Sequence, residues 1–127
     1  MRGPSGCGKS DLALRLIEEG ARLVSDDYTD IAVDDGRLVA SAPPEIRGMI
    51  EVRGLGIVRL GAAPSVPVTV IVELVPAEKV TRMPEPEQRE ILEVPVPLFR
   101  LAPFEASATA KVRLAVRLAT GGIMPVR

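Results

Sequence analysis

The chain has 127 residues, a formal net charge of −1 and no histidine. That length sets the expectation of one domain over residues 1–127, and 46% apolar with 26% charged residues is an ordinary soluble composition. The near-zero charge argues against nucleic acid or an anionic membrane as partner, and without histidine any acid–base chemistry within these residues falls to carboxylates.

Residues 3–10 read Gly3-Pro4-Ser5-Gly6-Cys7-Gly8-Lys9-Ser10, a complete G-x-x-x-x-G-K-[ST] loop. Its glycines let consecutive backbone N–H groups curl around an anion, Lys9 reaches the β/γ-phosphates, and the Ser10 hydroxyl can ligate Mg²⁺. A following helix aims its positive end at the same phosphates. The pattern points to nucleoside triphosphate binding. A strand normally enters such a loop, yet only Met1 and Arg2 precede Gly3. The expectation is a true start further upstream; the alternative is a fold that does without this strand and leaves its neighbours with unpaired backbone groups. Cys7, the single cysteine, reads as a small filler of the loop and fits a reducing cytosol.

Residues 10–19 read as the helix after the loop, with Leu12, Ala13, Leu16 and Ile17 on one face and Gly20 as its cap. Residues 21–25 read as a short strand ending in Asp26-Asp27. Residues 29–33 and 37–40 read as a hairpin turning at Asp34-Asp35-Gly36, and residues 41–48, with Pro43-Pro44, as loop. The run VTVIVEL over 68–74 is the strongest strand pattern, and 76–90 is Pro-punctuated loop. Residues 90–98 read as a further strand, at an edge because Pro95 and Pro97 cannot donate to a ladder. Residues 106–120 suit a closing helix, apolar at Ala108, Val112, Ala115 and Val116 and ended by Gly121-Gly122. No run approaches the length of a membrane span.

Two acidic residues at a strand end, one helix after a phosphate loop, have two readings. One is a solvated acidic turn. In the other, one carboxylate holds Mg²⁺ or its water shell while its neighbour accepts the proton of an attacking hydroxyl. The stretch Ile50-Glu51-Val52-Arg53-Gly54-Leu55-Gly56-Ile57 likewise reads either as a salt-bridged edge strand with a bulge or as a functional segment. Glu51 and Arg53 would share a face if it is extended, and its glycines suit close backbone approach.

The P-loop, the Leu-Val-Ser-Asp-Asp segment and the Glu-Val-Arg-Gly-Leu-Gly-Ile stretch together resemble the HPr kinase/phosphorylase family, in its short single-domain form of α-proteobacteria. The resemblance runs from Gly3 to about Pro97. It implies an α/β kinase domain of the PEP carboxykinase-like P-loop fold, with a mixed sheet, a P-loop helix and a C-terminal helix. It implies ATP and Mg²⁺, bound by Gly3, Pro4, Ser5, Gly6, Cys7, Gly8, Lys9 and Ser10, with Ser10 and Glu51 linked to the metal and Arg53 and Gly54 in the surrounding catalytic stretch. Asp27 matches the catalytic carboxylate, Asp26 is the second choice for that role, and Arg82 matches an arginine that stabilises the transferring phosphate. The implied activity is cytoplasmic transfer of a phosphoryl group to a serine of HPr, the phosphocarrier of the sugar phosphotransferase system, by a homo-oligomer, a hexamer in the family. The basic Pro-Gly-Arg loop tied to the reverse, dephosphorylating reaction would fall near residues 100–105. Here it reads Arg-Leu-Ala-Pro-Phe-Glu, without the Gly-Arg, which leaves the reverse reaction open. Two other readings of the loop stay open beside this one: a small-molecule P-loop kinase or NTPase, and a nucleotide-sensing regulator without catalysis.

Overall fold

The computed structural model describes residues 1–26 and 28–126; Asp27 and Arg127 lie outside the described residues. The chain divides into two compact units, one of Ser10–Val68 and one formed by Met1–Lys9 with the stretch from Thr69 onward.

The Ser10–Val68 unit begins in helix α1 (Lys9–Glu18). Its apolar stripe buries Leu12 fully, with Ala13, Leu16 and Ile17 half-buried. Its end is closed by two reversed hydrogen bonds, Ala21 N–H to Leu16 C=O and Gly20 N–H to Ile17 C=O, both 3.0 Å. This is the pairing that satisfies orphan helix carbonyls around a glycine cap. The strand expected over 21–25 shrinks to an isolated parallel bridge between Leu23 and Ala62. Only Leu23 of those five residues is buried, and one inward side chain cannot hold a ladder. Strands β1 (Asp30–Asp34) and β2 (Arg37–Ser41) form the expected hairpin, with Asp34 opposite Arg37. Its two turn residues, Asp35 and Gly36, have positive φ (53° and 76°), the geometry that matches strand twist. A second hairpin joins β3 (Met49–Val52) to β4 (Gly56–Arg59), and β5 (Ser65–Pro67) adds to β2, giving the order β1-β2-β5.

In the other unit, β6 (Ile71–Leu74), β7 (Gln88–Ile91) and β8 (Val94–Leu101) form a mixed sheet ordered β6-β8-β7, with β6 and β8 parallel and β7 antiparallel to β8. Helix α2 (Ala108–Thr120) packs on β8 and buries Ala108, Thr109, Val112 and Ala115, while Val116 stays on the exposed side. The core is aliphatic throughout: Ile71, Val72, Leu74, Val96, Leu98 and Ala102 are buried. Of the strand that enters the P-loop, Arg2 supplies a parallel bridge to Glu73. Its N–H donates to Val72 C=O and its C=O accepts from Leu74 N–H, both at 2.8 Å.

Two strand boundaries differ from the sequence pattern. The run over 68–74 is interrupted: Val68 N–H still donates to Leu38 of β2, and β6 starts only at Ile71. The run over 90–98 is a hairpin corner, turning at Leu92-Glu93 from β7 into β8. β8 is central rather than an edge, and its prolines fit for a local reason. Leu98 N–H donates to Glu87 C=O at 2.9 Å; by antiparallel alternation, Pro95 and Pro97 then sit at positions whose nitrogens face away from β7. On that far side β6 pairs with β8 only from Leu98 onward.

Candidate functional site

The P-loop leaves Arg2 and folds back on itself through a turn in which Cys7 N–H donates to Pro4 C=O at 3.1 Å. Gly3, Pro4, Ser5 and Gly6 are exposed, Cys7 and Gly8 half-buried, and Lys9 is the first residue of α1. Gly8 has φ 96°, and a Cβ there would lie 2.7 Å from the Phe104 ring. The loop backbone therefore runs in direct contact with an aromatic side chain, and only glycine combines that φ with that approach.

In the Ser10–Val68 unit, three of the expected residues come together. The Ser10 hydroxyl donates to Asp26 Oδ1 at 3.0 Å, and the Glu51 backbone N–H donates to Asp26 Oδ2 at 3.1 Å. Both carboxylate oxygens are thus held, one by the first turn of α1 and the other by β3. Asp26, the second choice from sequence, is the carboxylate tied to the P-loop serine. Asp27, the first choice, lies outside the described residues. A hydroxyl and a carboxylate at this spacing are hard oxygen donors. Such a donor set fits Mg²⁺, which keeps several waters and binds one or two protein oxygens together with phosphates.

The Glu51 side chain is exposed, so the part of Glu51 engaged with Asp26 is its backbone. Arg53 and Gly54 do not continue β3. With Leu55 they form its turn into β4, closed by Leu55 N–H to Val52 C=O at 2.9 Å. Arg53 therefore does not share a strand face with Glu51: the glycines at 54 and 56 bend the chain before the alternation can repeat. Arg82 lies in the exposed stretch before β7, in the unit that carries the P-loop turn.

Two features were not legible from motif reading. Phe104, 74% exposed, sits against Gly8 in the turn after β8; its signal was only an aromatic in a proline-flanked loop. Arg100 grips Glu87 with both terminal nitrogens, one of them at 3.0 Å from Oε2, and reaches Glu73 through Nε at 3.4 Å. Glu73 is its register partner on β6. Its signal was a charge in an otherwise apolar strand.

The family model for the HPr Serine kinase C-terminal domain matches residues 1–116. The HPr kinase/phosphorylase of Clostridium tetani is 55% identical over 56 residues, which are 44% of this chain and 18% of that protein. The one from Clostridium perfringens strain 13 is 52% identical over 60 residues, 47% of this chain and 20% of that protein. The chain thus aligns with about a fifth of the length of these relatives. The structure of the Hpr(Ser) kinase/phosphatase from Coxiella burnetii superposes with a TM-score of 0.82 at 26% identity, covering 94% of this chain and 85% of that one. No helix among the described residues is long and apolar enough to cross a membrane.

Proposed function

Because the chain belongs to the HPr serine kinase C-terminal domain family, we propose that it transfers the γ-phosphoryl group of ATP to a serine of the phosphocarrier HPr. In this reading residues 1–127 act as one catalytic domain, in the cytoplasm, as a homo-oligomer. The observation that carries the reading is the Ser10–Asp26–Glu51 arrangement, in which one carboxylate is oriented by the P-loop serine and by the β3 backbone. Phosphoryl transfer leaves little covalent chemistry to the protein, so positioning and electrostatics supply most of the acceleration. Backbone N–H groups of Gly8, Lys9 and Ser10, at the start of α1, would cradle the phosphates, and Lys9 would neutralise charge on the β/γ-phosphates. Mg²⁺ would be held by Ser10 and Asp26, with Glu51 as the other metal-linked residue, and when bound would supply Lewis-acid neutralisation of the phosphate oxygens. Asp27 accepts the proton of the HPr serine hydroxyl as it attacks, and Arg82 offers a guanidinium fork to the transferring group.

The test is transfer from γ-labelled ATP to purified HPr. Wild type is expected to label a serine of HPr, and Lys9→Ala to lose that label. An unlabelled HPr in the presence of bound ATP would overturn the reading. Phosphate-dependent release from phosphoserine-HPr measures the reverse direction in the same preparation, and light scattering reads the oligomer.

A further inference from the structure

The loop segment after β6 and the one after β8 meet the P-loop around an apolar cavity of about 570 Å³. The P-loop lead-in at Arg2, β6 and β8 all run parallel, so the cavity opens at their carboxyl ends, where open α/β sheets hold ligands. All of its lining belongs to the one unit. Pro4 and Cys7 of the phosphate loop line it together with Pro76, Ala77 and Phe104. The Phe104 ring is largely exposed and touches Gly8, the residue before the phosphate-binding lysine. The one carboxylate of the lining, Glu105, is engaged by Lys111 Nζ at 3.0 Å.

We infer that this cavity holds the base of the nucleotide, stacked on Phe104; the inference rests on the kinase reading above. An apolar, aromatic-faced recess that shares residues with an anion loop suits a ligand that is flat and apolar at one end and anionic at the other. A nucleoside triphosphate is such a ligand. An exposed aromatic face gains most by covering a π-surface, and stacking of this kind is tolerant of base identity. With its carboxylate already paired, the recess discriminates weakly between purines, so ATP and GTP bind within a few-fold of each other.

The experiment measures equilibrium binding of ATP, GTP and inorganic tripolyphosphate, each with Mg²⁺, to the full chain and its variants. Phe104→Ala is expected to weaken ATP about tenfold and leave tripolyphosphate unchanged. Phe104→Trp, which keeps a π-face, retains ATP affinity within about threefold. Equal losses for ATP and tripolyphosphate would mean that Phe104 merely shapes the phosphate loop, and no loss for either would mean that the base lies elsewhere. An unchanged ATP affinity with a raised KM for HPr would assign the recess to the acceptor protein. Each of these overturns the inference while leaving the kinase reading standing. Wild type that binds neither ATP nor tripolyphosphate would overturn both.

Discussion

Asp26 is held at both oxygens by neighbours of different origin, a side-chain hydroxyl and a backbone amide. Exchange to Asn keeps the size and one acceptor but removes the charge. The orientation from Ser10 and the Glu51 amide then survives only in part, because an NH₂ group cannot accept from a donor. Asp26→Asn is expected to raise the Mg²⁺ concentration needed for half-maximal transfer at least tenfold. Asp27→Asn would instead lower the maximal rate by about 10² to 10⁴, the usual contribution of a general base, with the Mg²⁺ requirement unchanged. A Mg²⁺ titration of transfer by the two variants separates these roles, and identical profiles would abolish the distinction. Gly48 makes the other sharp demand at this scale. Its φ is 77°, and a Cβ would lie 2.4 Å from the Leu60 carbonyl oxygen, whose own residue donates its N–H to Gly48 C=O at 2.6 Å. The obstacle is backbone and cannot swing aside. Gly48→Ala is expected to cost roughly 3 kcal/mol in a denaturant titration, from left-handed strain together with the overlap; a loss under 1 kcal/mol would refute that account.

At the scale of elements, what could be read from sequence follows how local the determining physics is. The P-loop, α1 with its glycine end, the Asp35-Gly36 hairpin and α2 up to Gly121 all depend on residues a few positions apart. Each stands where the pattern puts it, to within a few residues. Strand boundaries failed where a tertiary partner decides them. The apolar run over 68–74 reads as continuous, yet it is where the chain stops bonding to β2 and begins to pair with β8. The β7–β8 corner failed for the opposite reason, since its turn residues carry no turn signature. Leu92 and Glu93 both have positive φ, 48° and 66°, in a two-residue turn that favours Asn and Gly. The site divided in the same way. Ser10 and Asp26 were each candidates from sequence, but their hydrogen bond, like the place of Phe104 against Gly8, is set by the fold. The corner is therefore a place where sequence opposes structure. Leu92 and Glu93 are both exposed, so Leu92→Asn with Glu93→Gly removes strain without opening a buried cavity. The pair is expected to stabilise the chain by about 1 kcal/mol, seen as a raised denaturation midpoint at constant slope. A destabilised variant would show that the corner is held by contacts of the Leu92 and Glu93 side chains.

For the whole molecule, 17 acidic residues against 16 basic ones leave folding close to charge balance at neutral pH. Acid then acts through the carboxylates whose affinity for protons changes on folding. Glu87 is one of these. Hydrogen bonds from Arg100 come first, with the charges of Arg100 and Arg89 behind them, and together they hold its carboxyl below its ordinary value of 4.5 against an opposing desolvation. A carboxyl depressed by folding binds fewer protons in the native than in the unfolded chain. Its contribution is therefore complete above about pH 4.5 and disappears as the pH falls through the lower native value. Glu87 and Arg100 are solvent-accessible, so salt weakens the interaction. Glu87→Gln leaves a side chain of the same shape that cannot ionise and resembles the protonated acid. Wild type is expected to be the more stable of the two at pH 7 and low salt. The difference should stay constant down to about pH 5, close as the pH falls through the lowered native value, and shrink with added salt wherever it is present. Thermal melts of both proteins across this range decide the matter, since all other carboxylates are common to the pair and cancel. A difference that persists unchanged into acid would mean that Glu87 stabilises the sheet by packing rather than by its charge.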